Sequence, residues 1–326
     1  MNTSSIPAPT GEPSGRTAVA ALDVGGTKIA AGLVTADGTL LHRRELPTAT
    51  ATAAGGGLRD PGLTGTARAA RALLDDAARL GVTVTALGAG FPEYVDVDGE
   101  LTSREVLAWD VQPAAVLAAL AAPGLPVAVG SDVRCGALGE ARHGVGRGLP
   151  DFLYVSLGTG LSSTVVLDGR PVAGRRGEAI ALGEWEVPAS VDRDWRGNLE
   201  QYCSGRGIGE RRTACGGSPV PGAREVTALA LSGDPDAARV LDTAGRALGT
   251  VLGHLVRVLD PSAIVLGGGL GTGDGPLHAA LREAYAHTTR TRPAPPPIRR
   301  AALGPDAGLI GAAALPAPSG LGALLS

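Results

Sequence analysis

The chain has 326 residues, 44% of them hydrophobic, and a formal net charge of −3, with a pI near 6.0. That length supplies core for two domains, and that charge excludes the basic face that nucleic acid or an anionic membrane selects. Cys135, Cys203 and Cys215 are odd in number and lack a CxxC spacing, so they give neither a disulfide framework nor a cysteine-rich zinc site, and a reducing cytoplasm is the expected compartment.

Residues 1–16 are rich in Pro, Ser, Thr and Gly and have no apolar core. They predict a disordered tail, neither signal peptide nor membrane anchor, and too short for a helix-turn-helix domain. Residues 17–34 read as two aliphatic strands around Gly25-Gly26-Thr27-Lys28, and 38–45 as a third strand after the Asp37-Gly38 turn, which makes a meander. A helix over 64–80 leads into a buried strand over 82–90 and the loop Phe91-Pro92-Glu93-Tyr94-Val95-Asp96. A second helix, 114–121, is entered through Pro113. The strand after it, 126–130, delivers Ser131 and Asp132 at its carboxyl end, where open α/β sheets place their ligands.

Residues 135–143 predict another helix. From Asp151 a second meander repeats the first: strand, glycine turn, strand, Asp-Gly turn, strand. Helices follow over 198–211, 223–230 and 236–258, then a strand over 263–266 running into Gly267-Gly268-Gly269, and a last helix over 307–315 before a loose tail. The expectation is a duplicated α/β fold of two lobes, 17–131 with 307–326 and 132–306, around a central cleft.

The glycine turns carry the chemistry. Gly25 and Gly26 allow backbone conformations and approaches that a Cβ forbids, while Thr27 and Lys28 add a hydroxyl and a cation, which suits terminal phosphates; the plain alternative is a tight hairpin with Lys28 solvated. Asp23, just ahead of the turn, is placed to hold Mg²⁺ directly or through water, because that cation prefers carboxylate oxygens and keeps several waters.

Four segments, DVGGTK at 23–28, SDVRCGALGE at 131–140, LGTGLSSTVVLDG at 157–169 and IVLGGGL at 264–270, stand in the order found in the ROK family of sugar kinases, which the chain resembles over about 19–315. The resemblance implies the ribonuclease H-like, actin-type ATPase fold, a homodimer, and transfer of the γ-phosphoryl of ATP to a hydroxyl of a hexose-like acceptor. Asp132 then matches the catalytic base, which takes the hydroxyl proton as the O–P bond forms; its alternative role is to cap the helix that follows. Gly158, Thr159 and Gly160 would form a second phosphate hairpin, and Gly267, Gly268 and Gly269 would admit the adenosine beside a helix N-terminus.

The acceptor side departs from the family pattern. Members commonly carry GxxGEIGH and then CxCGxxGCLE, whose His and three Cys bind a structural zinc and whose Glu and His touch the sugar. Here the matching stretches are GEAIALGE (177–184) and VDRDWRGNLE (191–200), so Ala181 replaces the glutamate, Glu184 the histidine, and Val191, Arg193 and Asn198 the cysteines. No structural zinc is expected. Glu200 persists and is assigned to a substrate hydroxyl or amine. Ser131 stands for the usual asparagine, Glu93 for a loop glycine, and Arg104 lies in the rewritten loop TSREVLAW before Trp109. Three carboxylates, Glu93, Glu184 and Glu200, around the acceptor suggest an ammonium partner, so an aminohexose such as glucosamine or kanosamine is the expected substrate. Glucose and a sugar-like cyclitol are the alternatives, and a non-catalytic sugar- or nucleotide-binding regulator is the competing class.

Overall fold

The computed structural model describes residues 16–48, 58–216 and 218–316; the tails expected at 1–16 and after Pro316 lie outside the described residues except for Arg16, which already belongs to the first strand. The first meander forms as β1 (Arg16–Val24), β2 (Lys28–Val34) and β3 (Leu40–Pro47). Ala20, Leu22 and Val24 of β1 pack into one core with Ile29, Ala31 and Leu33 of β2, while Ala21 and Val34 enter a core on the opposite face. Side-chain alternation on a sheet covered on both faces explains why these strands are apolar throughout.

The chain continues through β4 (Leu58–Arg59), α1 (Thr64–Leu80), β5 (Val82–Phe91), β6 (Leu107–Ala108), α2 (Pro113–Ala118) and β7 (Val127–Ser131). Helix α3 (Asp132–His143) begins at Asp132 itself, three residues earlier than its apolar pattern predicts, with Ser131 as the extended residue before it. The second half comprises β8 (Asp151–Leu157), β9 (Leu161–Leu167), β10 (Arg170–Pro171), α4 (Leu199–Cys203), α5 (Gly205–Ala214), α6 (Ala223–Leu231), α7 (Pro235–Leu259), β11 (Ile264–Gly267), α8 (Gly268–Gly271), α9 (Pro276–Thr289), β12 (Ile298–Arg300) and α10 (Ala307–Ala314).

The two large sheets have one topology. Their orders are β3-β2-β1-β5-β7 and β10-β9-β8-β11-β12, each an antiparallel meander whose first strand pairs in parallel with a fourth strand, which in turn pairs in parallel with a fifth. The repeat expected from the two meanders therefore extends to whole sheets.

The helix expected over 198–211 is two helices. Ser204 breaks it in an extended conformation and caps α5 by accepting from the Gly207 amide at 3.1 Å. Among the elements that go beyond those read from the sequence are the short pair β4 and β6, α9, which starts at Gly275-Pro276, and β12, which extends the second sheet.

Glycine sets the two closest helix contacts. A Cβ at Gly311 of α10 would lie 1.6 Å from the Cys135 carbonyl oxygen, and one at Gly139 of α3 would lie 2.6 Å from that of Ala307. This contact seats α10, the last element, between α3 and the first sheet. Along α7, Gly245, Gly249 and Gly253 recur every fourth residue and face α9; a Cβ at Gly249 would lie 2.2 Å from the Leu281 carbonyl oxygen. Gly249→Val should force the pair apart and cost about 1–3 kcal/mol. A lowered thermal midpoint in a calorimetric scan checks this; an unchanged midpoint contradicts the close contact.

Candidate active site

The β1–β2 turn is closed by the Gly25 amide donating to the Lys28 carbonyl at 2.9 Å. Thr48 braces it from outside, its hydroxyl donating to the Gly25 carbonyl at 2.6 Å and its amide to that of Thr27 at 3.1 Å. The Lys28 ammonium, expected either to contact phosphate or to be solvated, has a carboxylate partner here. It reaches across to Glu45 on β3 at 2.7 Å, and the pair is exposed.

The β8–β9 turn, Gly158-Thr159-Gly160, is built differently. Amides at the start of α5 dock on it, Gly205 donating to the Gly158 carbonyl at 2.8 Å and Arg206 to that of Thr159 at 3.2 Å. A Cβ at Gly205 would lie 2.7 Å from the Gly158 oxygen, so the approach needs glycine. At Gly158 the Cβ position faces open space. The third glycine run is tighter: Gly268 has φ +77°, and Cβ atoms at Gly267 and Gly268 would lie 2.3 Å from the Tyr154 hydroxyl and 2.4 Å from the Leu157 carbonyl. Only Gly269 is open, and α8 beyond it is a single turn.

Between these turns stand two carboxylates. Asp23, near the end of β1, pairs in register with Gly90 of β5, and its carboxylate fills the space beside Gly308, where a Cβ would lie 2.7 Å from Oδ2. Burial pushes its pKa up to about 6, with Arg43 and Lys28 opposing and Asp306 adding to the rise. Asp132 opens α3 with its Oδ1 accepting from the Val133 amide at 2.6 Å. Burial, then the Asp23 charge, push its pKa up to about 7; the Val133 bond opposes, and Glu93 and Glu200 add to the rise.

A site whose central carboxylate is raised by three others has the chemistry that a hard divalent cation relieves. Asp23 fits that cation on this ground. Among the described residues no group of three His, Cys, Asp or Glu side chains comes together as a ready metal cage.

On the acceptor side, one expectation is corrected. Glu93 is buried and its carboxylate is fully engaged: Oε1 accepts from the Val106 and Leu107 amides at 2.8 and 2.7 Å, and Oε2 from the Ser103 hydroxyl and Glu105 amide at 2.5 and 2.7 Å. It gathers the 103–107 loop, and Val106 then presses on the first glycine turn, 3.0 Å from a Cβ built at Gly26. It has no lone pair left for an ammonium. Arg104 is likewise occupied, donating to the Trp109 carbonyl at 3.0 Å and stacking 4.5 Å over its ring.

Ser131 accepts from Arg134 Nε at 3.0 Å. Glu184 is exposed and accepts from the Tyr94 hydroxyl through Oε1. Glu200 touches the second glycine turn, 3.5 Å from a Cβ built at Gly160, and pairs with Arg206 at 3.3 Å.

The loop in place of the zinc motif is held by other means. Asp192 accepts from the Asp194 and Trp195 amides and from the Tyr202 hydroxyl at 3.1–3.2 Å, Trp195 meets Tyr202 edge-on with centroids 5.1 Å apart, and Arg211 stacks 3.4 Å over Tyr202. Thr48, Gly205, Arg206, Gly308 and Arg134 belong to the site's framework without having been legible as such. Gly205 and Gly308 are the two whose residue type, a glycine opening a helix, carried a signal.

Two predictions follow from charge and bonding. Glu93→Gln turns one acceptor oxygen into a donor facing amide N–H groups, and should cost about 1–3 kcal/mol in urea denaturation; a change within error contradicts the fourfold cradle. Asp132 binds its proton more tightly folded than unfolded, so it weakens the nucleotide- and metal-free fold as pH rises from about 4 through about 7. Asp132→Asn should match wild type near pH 4 and be more stable at pH 8, by on the order of 1–4 kcal/mol. Equal stability of the two at both pH values contradicts the raised pKa.

The profile of the ROK family matches residues 19–318. The bifunctional enzyme NanE/NanK of Brucella melitensis is 38% identical over 200 residues, which cover 60% of this chain and 36% of that enzyme, so the chain matches about a third of the length of that relative. Glucokinase from Streptomyces coelicolor is 30% identical over 317 residues, covering 90% of this chain and 96% of the enzyme. Kanosamine kinase from Amycolatopsis mediterranei is 30% identical over 246 residues, covering 73% and 78%. A ROK family glucokinase from Streptomyces griseus, crystallised with glucose and AMPPNP, aligns with a TM-score of 0.73 at 29% identity, covering 92% of this chain and 99% of that one. With a profile match over nearly its whole length, the duplicated sheets and the paired glycine turns, this chain belongs to the ROK family.

Proposed function

We propose that the chain is an ATP-dependent carbohydrate kinase that phosphorylates a hexose or aminohexose, at its 6-hydroxyl, with Asp132 as general base. The observation that carries this reading is the electrostatics of Asp132: a carboxylate whose pKa is pushed to about 7 at the mouth of a helix is matched to accepting a proton near neutral pH. Sugar kinases among its relatives, one of them crystallised with glucose and AMPPNP, support it.

In this reading the two glycine turns receive the phosphates of ATP from opposite sides, and the lobes 17–131 with 307–326 and 132–306 close on the acceptor. Closure excludes water, which would otherwise compete for the phosphoryl group. Asp23 holds Mg²⁺, directly or through water; the ion, when bound, neutralises phosphate oxygens as charge redistributes in the loose transition state. Asp132 orients the acceptor hydroxyl and takes its proton, an effect of about 10²–10⁴ in rate.

With Glu93 committed to its own loop, recognition of an ammonium falls to Glu184 and Glu200. Glu184 has one oxygen on Tyr94 and offers the other, while Glu200 divides its carboxylate between Arg206 and the Leu161 amide. Among the described residues no helix is long and apolar enough to cross a membrane. A cytoplasmic homodimer is the accompanying proposal.

Coupled ADP release with Mg²⁺, ATP and a panel of glucose, glucosamine, kanosamine and cyclitols tests the function. ADP release with glucosamine or kanosamine above that with glucose supports the aminohexose; a clear preference for glucose makes the protein a glucokinase and discards the ammonium role. Asp132→Asn should lose about 10²-fold or more in kcat while nucleotide affinity holds. Unchanged turnover removes Asp132 from the base role.

A further inference from the structure

Beside the proposed base lies a buried cation that the chemistry above does not use. Arg134 is the third residue of α3 and is only 6% exposed. Its Nε donates to the Ser131 hydroxyl at 3.0 Å, its Nη2 donates to the Val95 carbonyl, and its Nη1 is buried without a partner among the described residues. Both partners are neutral. A guanidinium shut from water and held by neutral acceptors is costly, and a neutral side chain would avoid that cost.

What the cation gains is a grip on the Val95 carbonyl. Val95 pairs with Leu101 to close the loop after β5, and its own side chain is wholly buried. From the second half of the chain, the backbone of Gly177 packs on the same spot, where a Cβ would lie 2.2 Å from the Val95 oxygen. Nearby, the Tyr94 hydroxyl reaches Glu184 and the Thr102 hydroxyl donates to the Arg176 carbonyl at 3.0 Å. One residue before Tyr94, Glu93 gathers the 103–107 loop. The Val95 carbonyl is thus the point at which α3, the 92–107 segment and the 174–184 segment meet.

We propose that Arg134 is the positioning residue that fixes the 92–107 segment against the start of α3, and so, through the Tyr94–Glu184 bond, sets where the proposed acceptor ligand Glu184 stands relative to Asp132. The functional half of this inference rests on the kinase reading; the structural half does not. Held by two bonds of a planar fork, the loop keeps one distance from Ser131 and Asp132. The nucleotide side, built on the β1–β2 and β8–β9 turns, makes no direct bond to Arg134.

Full-length Arg134→Met and Arg134→Lys test it with two readouts. In amide hydrogen exchange of the substrate-free protein, Arg134→Met should speed exchange over residues 94–107 while α7 keeps its wild-type protection. Unchanged exchange over 94–107 overturns the clamp, whatever the enzyme does. With the sugar that the wild type turns over best, acceptor KM should rise about tenfold or more, and by about threefold or more beyond any rise in ATP KM, because only Val106 of the segment packs on the first glycine turn. Arg134→Lys should fall between, because one ammonium lacks the fork that serves both partners. Equal changes in the two KM values, or none, overturn the positioning role. Should Arg134→Met fail to fold, Arg134→Lys carries both readouts. A wild type that makes no ADP with any sugar sinks the kinase reading, and the exchange experiment still decides the clamp.

Discussion

The structure depends on keeping a carboxylate where carboxylates are disfavoured. Asp132 opens α3 half-buried, with Asp23, Glu93 and Glu200 as its electrostatic neighbours, each of which makes its ionised form harder to hold. A fold selected for stability alone would place an apolar or neutral side chain there. Its persistence makes sense when the missing positive charge arrives with the ligand, as Mg²⁺ and as the proton of a hydroxyl about to lose it. The same strain explains why Glu93, also buried in this acidic neighbourhood, is surrounded by four donors: three backbone amides and a hydroxyl stabilise its charge without a counter-ion.

Close approach of backbone to backbone is how the chain brings these groups together. Gly308 lets the Asp23 carboxylate reach the first turn of α10, Gly205 lets α5 dock on the β8–β9 glycine turn, and Gly139 with Gly311 brings α3 against α10. None of these contacts tolerates a Cβ without movement. A glycine-rich composition, which by itself carries no functional message, becomes meaningful at these few positions because each one permits a contact that a Cβ would block.

Much of this was legible in the sequence, for identifiable reasons. Strand ends and glycine turns announce themselves by apolar runs cut by Gly, so β1, β2, β8 and β9, and Asp132 at the end of β7, were readable. Glu93 was not, because three of its four partners are amides twelve to fourteen residues away, whose donors leave no mark on residue type. The break at Ser204 was hidden in an otherwise continuous helical pattern, although Ser before Gly is a capping signal. The partner of Lys28 was hidden for a related reason: Glu45 lies seventeen residues on, and only the pairing of β2 with β3 brings it to the ammonium. Loss of the zinc ligands was plain in the sequence, but the Asp192, Trp195, Tyr202 and Arg211 arrangement that holds the loop instead needed three dimensions.

The account's central claim is that both glycine turns and Asp132 converge on one transferring group. A crystal structure of the protein with Mg²⁺, AMPPNP and the preferred sugar tests it most directly. The account predicts phosphates lying between Gly25–Lys28 and Gly158–Gly160, with an acceptor hydroxyl within about 3 Å of an Asp132 oxygen and facing the terminal phosphoryl. Nucleotide bound elsewhere, or Asp132 turned away from both the hydroxyl and the terminal phosphoryl, would contradict it.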